Sequence, residues 1–182
     1  MGDSSGCGVV VVGGSISGLS TVQALAHHGI PVAVVLTSPR DIAHYSHWVR
    51  ESHRLFEFFT QPESLLDLLE RQSRRWHGWT VLTNHDEAAT VLSQNRERFE
   101  RWHRIVTPPW DTTCHLLHKD LTYKAAQEVG VDIPRVYGEA SLATAARADI
   151  TFPVVVKPVE SCPFVLRFGV KLFVARDHKA HS

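Results

Sequence analysis

The sequence predicts an α/β protein: a Rossmann-like parallel sheet over residues 1–107, followed by an incomplete α+β subdomain over residues 108–182. Three observations carry this expectation. Residues 9–12 (VVVV) and 30–36 (IPVAVVL) are short, apolar and largely β-branched, the composition of strands buried on both faces. A glycine-rich turn and one helix-length segment separate them. Strand, turn, helix and strand therefore follow within ~30 residues, which makes a parallel βαβ unit. Finally, Pro108 and Pro109 interrupt the chain after the last such strand and mark the boundary.

The first run enters GGSISG over residues 13–18, and a helix is expected over 19–28 with Leu19, Val22, Leu25 and Ala26 on its apolar side. Gly29 suits the position after its end, where only glycine adopts a left-handed φ without cost. Residues 37–60 show no regular pattern, and His44, Tyr45, His47, Trp48 and His53 are scattered through them. Thr60 and Glu63 have the spacing of a capping box, opening a helix to about residue 75 that buries Leu65, Leu66, Leu68 and Leu69. A strand is expected over 79–83, a helix from Asn84 to about Arg104, and a short strand at 105–106. Beyond the prolines come a helix over 120–129 stopped by Gly130, a strand over 133–137 and an Ala-rich helix over 141–148. A strand over 152–157, a loop rich in turn residues and a strand over 170–174 complete the chain, which has no internal repeat.

With 182 residues and about 150 per domain, the chain holds one domain or two small ones. Its 19 basic residues balance 19 acidic ones, which excludes the cationic surplus that nucleic-acid phosphates require. No apolar run approaches the ~20 residues that span a bilayer. The first six residues lack the basic start of a secretory signal, and Gly6 stands where a myristoylation motif needs Ser or Thr. Cys7, Cys114 and Cys162 are odd in number and form no CxxC, so neither a disulfide framework nor a zinc finger is expected. A reducing, cytoplasmic setting without a membrane partner follows as the default. His44 with His47, and His115 with His118 beside Cys114, lack third and fourth ligands and count as surface histidines rather than a metal centre. The five tryptophans serve packing between layers.

Gly13, Gly14 and Ser15 open a glycine loop after a strand, where a backbone can approach a pyrophosphate or a small substrate. The opening VVGGSISGL is similar to that of flavin-dependent monooxygenases, so an FAD- or NAD-binding oxidoreductase is one reading. Such proteins place a carboxylate at the end of the second strand to hold a ribose hydroxyl. Here that position is Leu36, followed by Thr37 and Ser38, with no carboxylate before Asp41. A tight turn of purely structural use and a substrate-facing loop are the other readings. Asp86 with Glu87, just past a predicted strand end, is the best carboxylate pair for substrate contact, or else a favourable charge at a helix start.

Lysine use is uneven: 14 cations are Arg, only five are Lys, and none of the five precedes Lys119. Lys119 stands in HKDLTYKAAQEVGVDIPR (residues 118–135), and Lys157 in FPVVVKP (152–158). Together these resemble the entry into an ATP-grasp domain. The preceding part is similar to the pre-ATP-grasp domain of carboxylate–amine ligases and related carboligases, through the glycine loop, HHGIPVAVV, TVLTNHDEAATVLSQNRERF and VTPPWD. The resemblance covers nearly the whole chain. It implies ATP-dependent phosphorylation of a carboxylate, then attack on the acyl phosphate by an amine or a thiol. It also implies that Lys119 and Lys157 contact ATP phosphates; Lys171 is a candidate for a third contact, with a solvent-facing strand residue as the preferred reading. A triphosphate needs point charges, and an ammonium on a flexible stem supplies one. Residues 160–169 fall where the family has a flexible, glycine-rich loop over the phosphates, but here hold one glycine, Gly169. The family's Mg²⁺ ligands lie well downstream of its second lysine, so they are expected beyond residue 182. The expectation is then an N-terminal fragment that binds nucleotide weakly at most and does not ligate alone. A non-catalytic small-molecule binding module is the remaining alternative.

Overall fold

The computed structural model describes residues 7–139, 141, 149–158 and 161–177. The chain forms two compact units, Met1–Leu117 and His118–Ser182.

The first unit is built on five parallel strands: β1 (Val9–Val12), β2 (Val32–Leu36), β3 (Val49–Arg54), β4 (Thr80–Thr83) and β5 (Arg104–Ile105), in the order β3-β2-β1-β4-β5. The VVVV of β1 and the VAVVL of β2 are buried throughout, because helices cover both faces of the sheet at its centre. On one face Val10, Val12, Ala33, Val35 and Val81 pack with Leu65, Leu69, Phe58, Trp76 and Phe99. On the other, Val9, Val11, Val32, Val34 and Leu36 pack with Val22 and Ala43.

Strand β3 falls in the stretch expected to be irregular. Its sequence VRESHR alternates half-buried and exposed residues at a sheet edge, where double burial is not required and no apolar run announces it. Glu51 anchors it from within, its two carboxylate oxygens accepting from Trp76 Nε1 at 2.6 Å and Arg75 at 3.0 Å.

Helix α1 (Ile16–His27) starts three residues before the expected Leu19, and it ends as expected at Gly29, where φ is +70°. The Gly29 N–H donates to Ala26 O and the Ile30 N–H to Leu25 O, the paired bonds of a Schellman motif. Helix α2 (Glu63–Arg71) buries the four predicted leucines but has no capping box. It begins at Glu63 itself, after Pro62, and the Thr60 hydroxyl turns back to Glu57 O at 2.9 Å. The long helix expected from residue 84 is broken into α3 (Asp86–Gln94) and α4 (Arg96–Phe99). Asn95 lies at the break, its side-chain amide donating to Val91 O, the kind of local bond by which Asn competes with helix continuation.

Helix α5 (Trp110–Leu117) follows the two prolines and is the last element of this unit. Thr113 is buried and its hydroxyl donates to Pro108 O at 2.8 Å, fastening the helix to the turn before it.

In the second unit, α6 (Lys119–Glu128) ends at Gly130, φ +76°, by the same pair of bonds: Gly130 N–H to Gln127 O and Val131 N–H to Ala126 O. The strand expected over 133–137 is absent; Pro134 has no N–H to offer a ladder. Instead Arg135 pairs with Asp149 at 3.1 Å, and the Thr151 N–H donates to the Tyr137 hydroxyl oxygen at 3.0 Å. The helix expected over 141–148 lies outside the described residues, save Ser141. Strands β6 (Val154–Val156) and β7 (Phe173–Ala175) pair antiparallel. Between them α7 (Ser161–Phe168) replaces the expected loop. Its proline, Pro163, sits in the first turn, where a missing N–H deprives the helix of nothing. Gly169, φ +70°, ends it.

Candidate functional site

The strand order reverses between β1 and β4, and in open parallel sheets the crevice at such a switch point, outside the strands' carboxyl ends, is where ligands bind. At the carboxyl ends of the central strands stand Gly13 and Gly14 after β1, Thr37 after β2, and Asn84 and His85 after β4. Both glycines are required by close approach. Gly13 has φ +102°, and a Cβ on it would lie 2.5 Å from His85 Nε2. A Cβ on Gly14 would lie 2.6 Å from Leu36 Cδ2 and 2.9 Å from Asp41 Cβ. Gly18 is closed in turn by the Gly13 carbonyl, so α1 starts against the loop that feeds it.

Asp41 organises this loop. It is 5% exposed, and its Oδ2 accepts from the Gly14 N–H at 3.1 Å, the Thr37 N–H at 2.8 Å and the Ser38 N–H at 3.2 Å. The Thr37 hydroxyl lies 2.9 Å from His85 Nε2 and 3.5 Å from the same carboxylate oxygen, linking the two side chains. His85 is further fixed by its own N–H, which donates to Thr83 Oγ1 at 3.1 Å, and by the edge-on ring of Phe59 at 5.6 Å. The Gly14 amide, which in a dinucleotide loop would face phosphate, thus already holds a carboxylate. Leu36, where a ribose-binding acid would stand, is buried at 2% exposure. Both facts run against the FAD- or NAD-binding reading.

Of the loop residues expected from sequence, Gly13 and Gly14 stand at the carboxyl end of β1, packed against His85 and against Leu36 and Asp41. Ser15 caps α1 by position only, its hydroxyl meeting that of Ser17 at 3.0 Å, and Asp86 is exposed in the first turn of α3. Sequence reasoning missed Asp41, Thr37 and His85 as site residues. The available signal was the turn TSPRD after β2, whose Asp41 N–H donates to Ser38 O and brings the carboxylate back over the loop.

Beside the crevice, a cavity of about 250 Å³ opens at the carboxyl ends of β4 and β5, lined by residues including Leu82, Ala89, Val106 and Leu116. Most of its wall is aliphatic, and the hydroxyls of Thr83 and Thr113 are engaged with the His85 backbone and with Pro108 O.

The candidate lysines all lie in the second unit. Lys119 is the half-buried first residue of α6. Lys157 is exposed and follows β6 directly, and Lys171 is exposed two positions before β7. Val156 pairs with Phe173, so the antiparallel register brings Lys157 and Lys171 to the same end of the ladder. Among the described residues no three His, Cys, Asp or Glu side chains gather as a metal site.

No family model and no curated protein sequence matches the chain. Solved structures do. L-amino acid ligase from Bacillus licheniformis superposes with a TM-score of 0.68 at 15% identity, over 96% of this chain and 39% of that one. N5-carboxyaminoimidazole ribonucleotide synthetase from Thermotoga maritima gives 0.60 at 17% identity, over 93% and 41%. The biotin carboxylase domain of Hydrogenobacter thermophilus 2-oxoglutarate carboxylase, in complex with MgADP, ADP and bicarbonate, gives 0.62 at 16%, over 93% and 38%. The chain shares its fold with parts of these ligase, synthetase and carboxylase structures. The parallel α/β sheet is the one expected from the βαβ signals. The chain spans about two-fifths of the length of these structures.

Proposed function

We propose that the chain serves ATP-dependent ligation of a small carboxylate to an amine, or to a thiol, through an acyl phosphate. In this reading Lys119, Lys157 and Lys171 contact the nucleotide phosphates, and the glycine-loop crevice of the first unit faces a small substrate. The observation that supports it best is the fold shared over 96% of the chain with an L-amino acid ligase. The position of Lys157 and Lys171 at one end of a short ladder adds to it, since a strand fixes each backbone while a flexible ammonium reaches an anion. Related folds bind ADP with magnesium. The described residues hold no acidic cluster suited to Mg²⁺, so none of them is assigned as its ligand.

The test is calorimetric titration of the chain with ADP and ATP. Weak binding is expected, with Lys157→Ala and Lys119→Ala each lowering affinity about tenfold, as loss of a charge-assisted phosphate contact does. Lys171→Ala should lower it less. No nucleotide binding by the parent chain, or unchanged affinity in both strong variants, would contradict the proposal.

A further inference from the structure

The cavity at the carboxyl ends of β4 and β5 is walled mostly by aliphatic groups and by no charged side chain. Leu82 comes from β4, Ala89 from α3, Val106 and Pro108 from the turn after β5, and Leu116 and Leu117 from α5. A carboxylate, ammonium or phosphate would give up water there and gain no counter-charge. An aliphatic group gains by leaving water, in proportion to the area it covers. The cavity also lies at the end of a parallel sheet where ligands are commonly received.

The turn that forms one side of the cavity is pinned from two directions. Arg96, at the start of α4, donates from Nη1 to Thr107 O, while its Nε pairs with Glu100 four residues on. Thr113, from α5, donates to Pro108 O at 2.8 Å. Another side is α3, where the wall residue is Ala89, and a longer aliphatic side chain at that position would enter the space that alanine leaves. Val106 and Leu116 are each more than half exposed, so the cavity opens to solvent on their side. The walls are thus held by hydrogen bonds that exist before any ligand arrives, which leaves little ordering cost to binding.

We infer that this cavity binds an uncharged, branched aliphatic group of about four to six carbons, since an enclosed apolar cavity of ~150 Å³ already admits a six-carbon ring. At about 250 Å³ and open on one side, it has room for such a group. It lies below the roughly 300–1,000 Å³ of sites that enclose a whole drug-sized ligand, which suits one small group rather than a larger molecule. The inference stands on the wall and its volume. It depends neither on the lysine–phosphate contacts nor on the role of the glycine loop.

The experiment uses the full chain with ¹³C-labelled methyl groups, titrated with two neutral probes: 3-methyl-1-butanol, whose branched end matches the cavity, and erythritol, a polyol of similar size. The alcohol should give saturable shifts of the Leu82, Ala89, Val106 and Leu116 methyls. It should leave the methyls of Val11 and Leu69, sealed in the two core clusters, unmoved. Erythritol should shift none of them. Ala89→Leu places a side chain in the space and should lower the alcohol's affinity about tenfold or more. Should Ala89→Leu fail to fold, the contrast between the two probes, and between wall and core methyls, decides the question on the parent chain alone. Absence of a saturable shift at the wall, equal shifts with erythritol, or unchanged affinity in a folded Ala89→Leu overturns the inference.

Discussion

The two units use apolar residues in opposite ways. In Met1–Leu117, Val10, Val11, Val12, Val34 and Val35 are wholly buried between helices on either side of the sheet. In His118–Ser182 no described residue is buried, and Val155, Phe168, Phe173 and Val174 are each about half exposed. The difference follows from architecture. A five-stranded parallel sheet must be covered on both faces, and each helix that crosses over it adds to one core. A two-stranded antiparallel ladder has little surface to hide and is marginal by itself. Its apolar contacts are correspondingly local, as where Phe164, Phe168 and Phe173 meet with ring centroids 4.7–6.2 Å apart. The first unit is thus a scaffold held by burial. The second is a platform whose described residues include exposed cations at a strand end.

The sharpest way to break this comparison is the same truncation in each unit. Phe58→Ala removes a ring at 0% exposure from the larger core cluster and should cost about 3–5 kcal/mol, read from urea unfolding of the first unit. Phe173→Ala removes a ring at 47% exposure and should cost about 1 kcal/mol, the value of its aromatic contacts. Similar costs at the two sites would mean that the second unit has a core of comparable tightness.

A smaller effect concerns His103, buried at 2% exposure in the first unit. Its Nε2 lies 3.1 Å from Leu69 O, near the end of α2, and its Nδ1 lies 3.2 Å from Trp76 O. A neutral imidazole donates to only one of them. Burial nevertheless holds its pKa below the ordinary 6.5, outweighing the two carbonyls, and the nearby His77 acts in the same direction. The native state therefore resists a proton that the unfolded chain accepts. Its share of stability is complete above pH 6.5 and declines as pH falls from there toward the lowered native value. His103→Gln should flatten that part of the pH–stability profile. A wild-type profile that rises on acidification through the same window would contradict the assignment.

What was legible in the sequence divides along the same line. Strands β1 and β2 announced themselves because burial on both faces leaves only apolar residues, and Gly29 and Gly130 because no other residue fits their φ cheaply. Strand β3 did not, since an edge strand with Glu51 and Arg50 keeps polar side chains on show. Helix α7 was hidden by Pro163, which signals a turn yet is harmless in a first helical turn. At the crevice the glycines were visible as spacing, but Asp41 was not. Its importance comes from a turn that carries a carboxylate back over a loop 27 residues earlier in the chain.

Hydrogen exchange of the chain with and without MgADP tests the proposed division of labour most directly. The account predicts added protection around Lys119, Lys157 and Lys171, with the amides of Gly13 and Gly14 unchanged. Protection at the glycine loop, with none near those lysines, would contradict it.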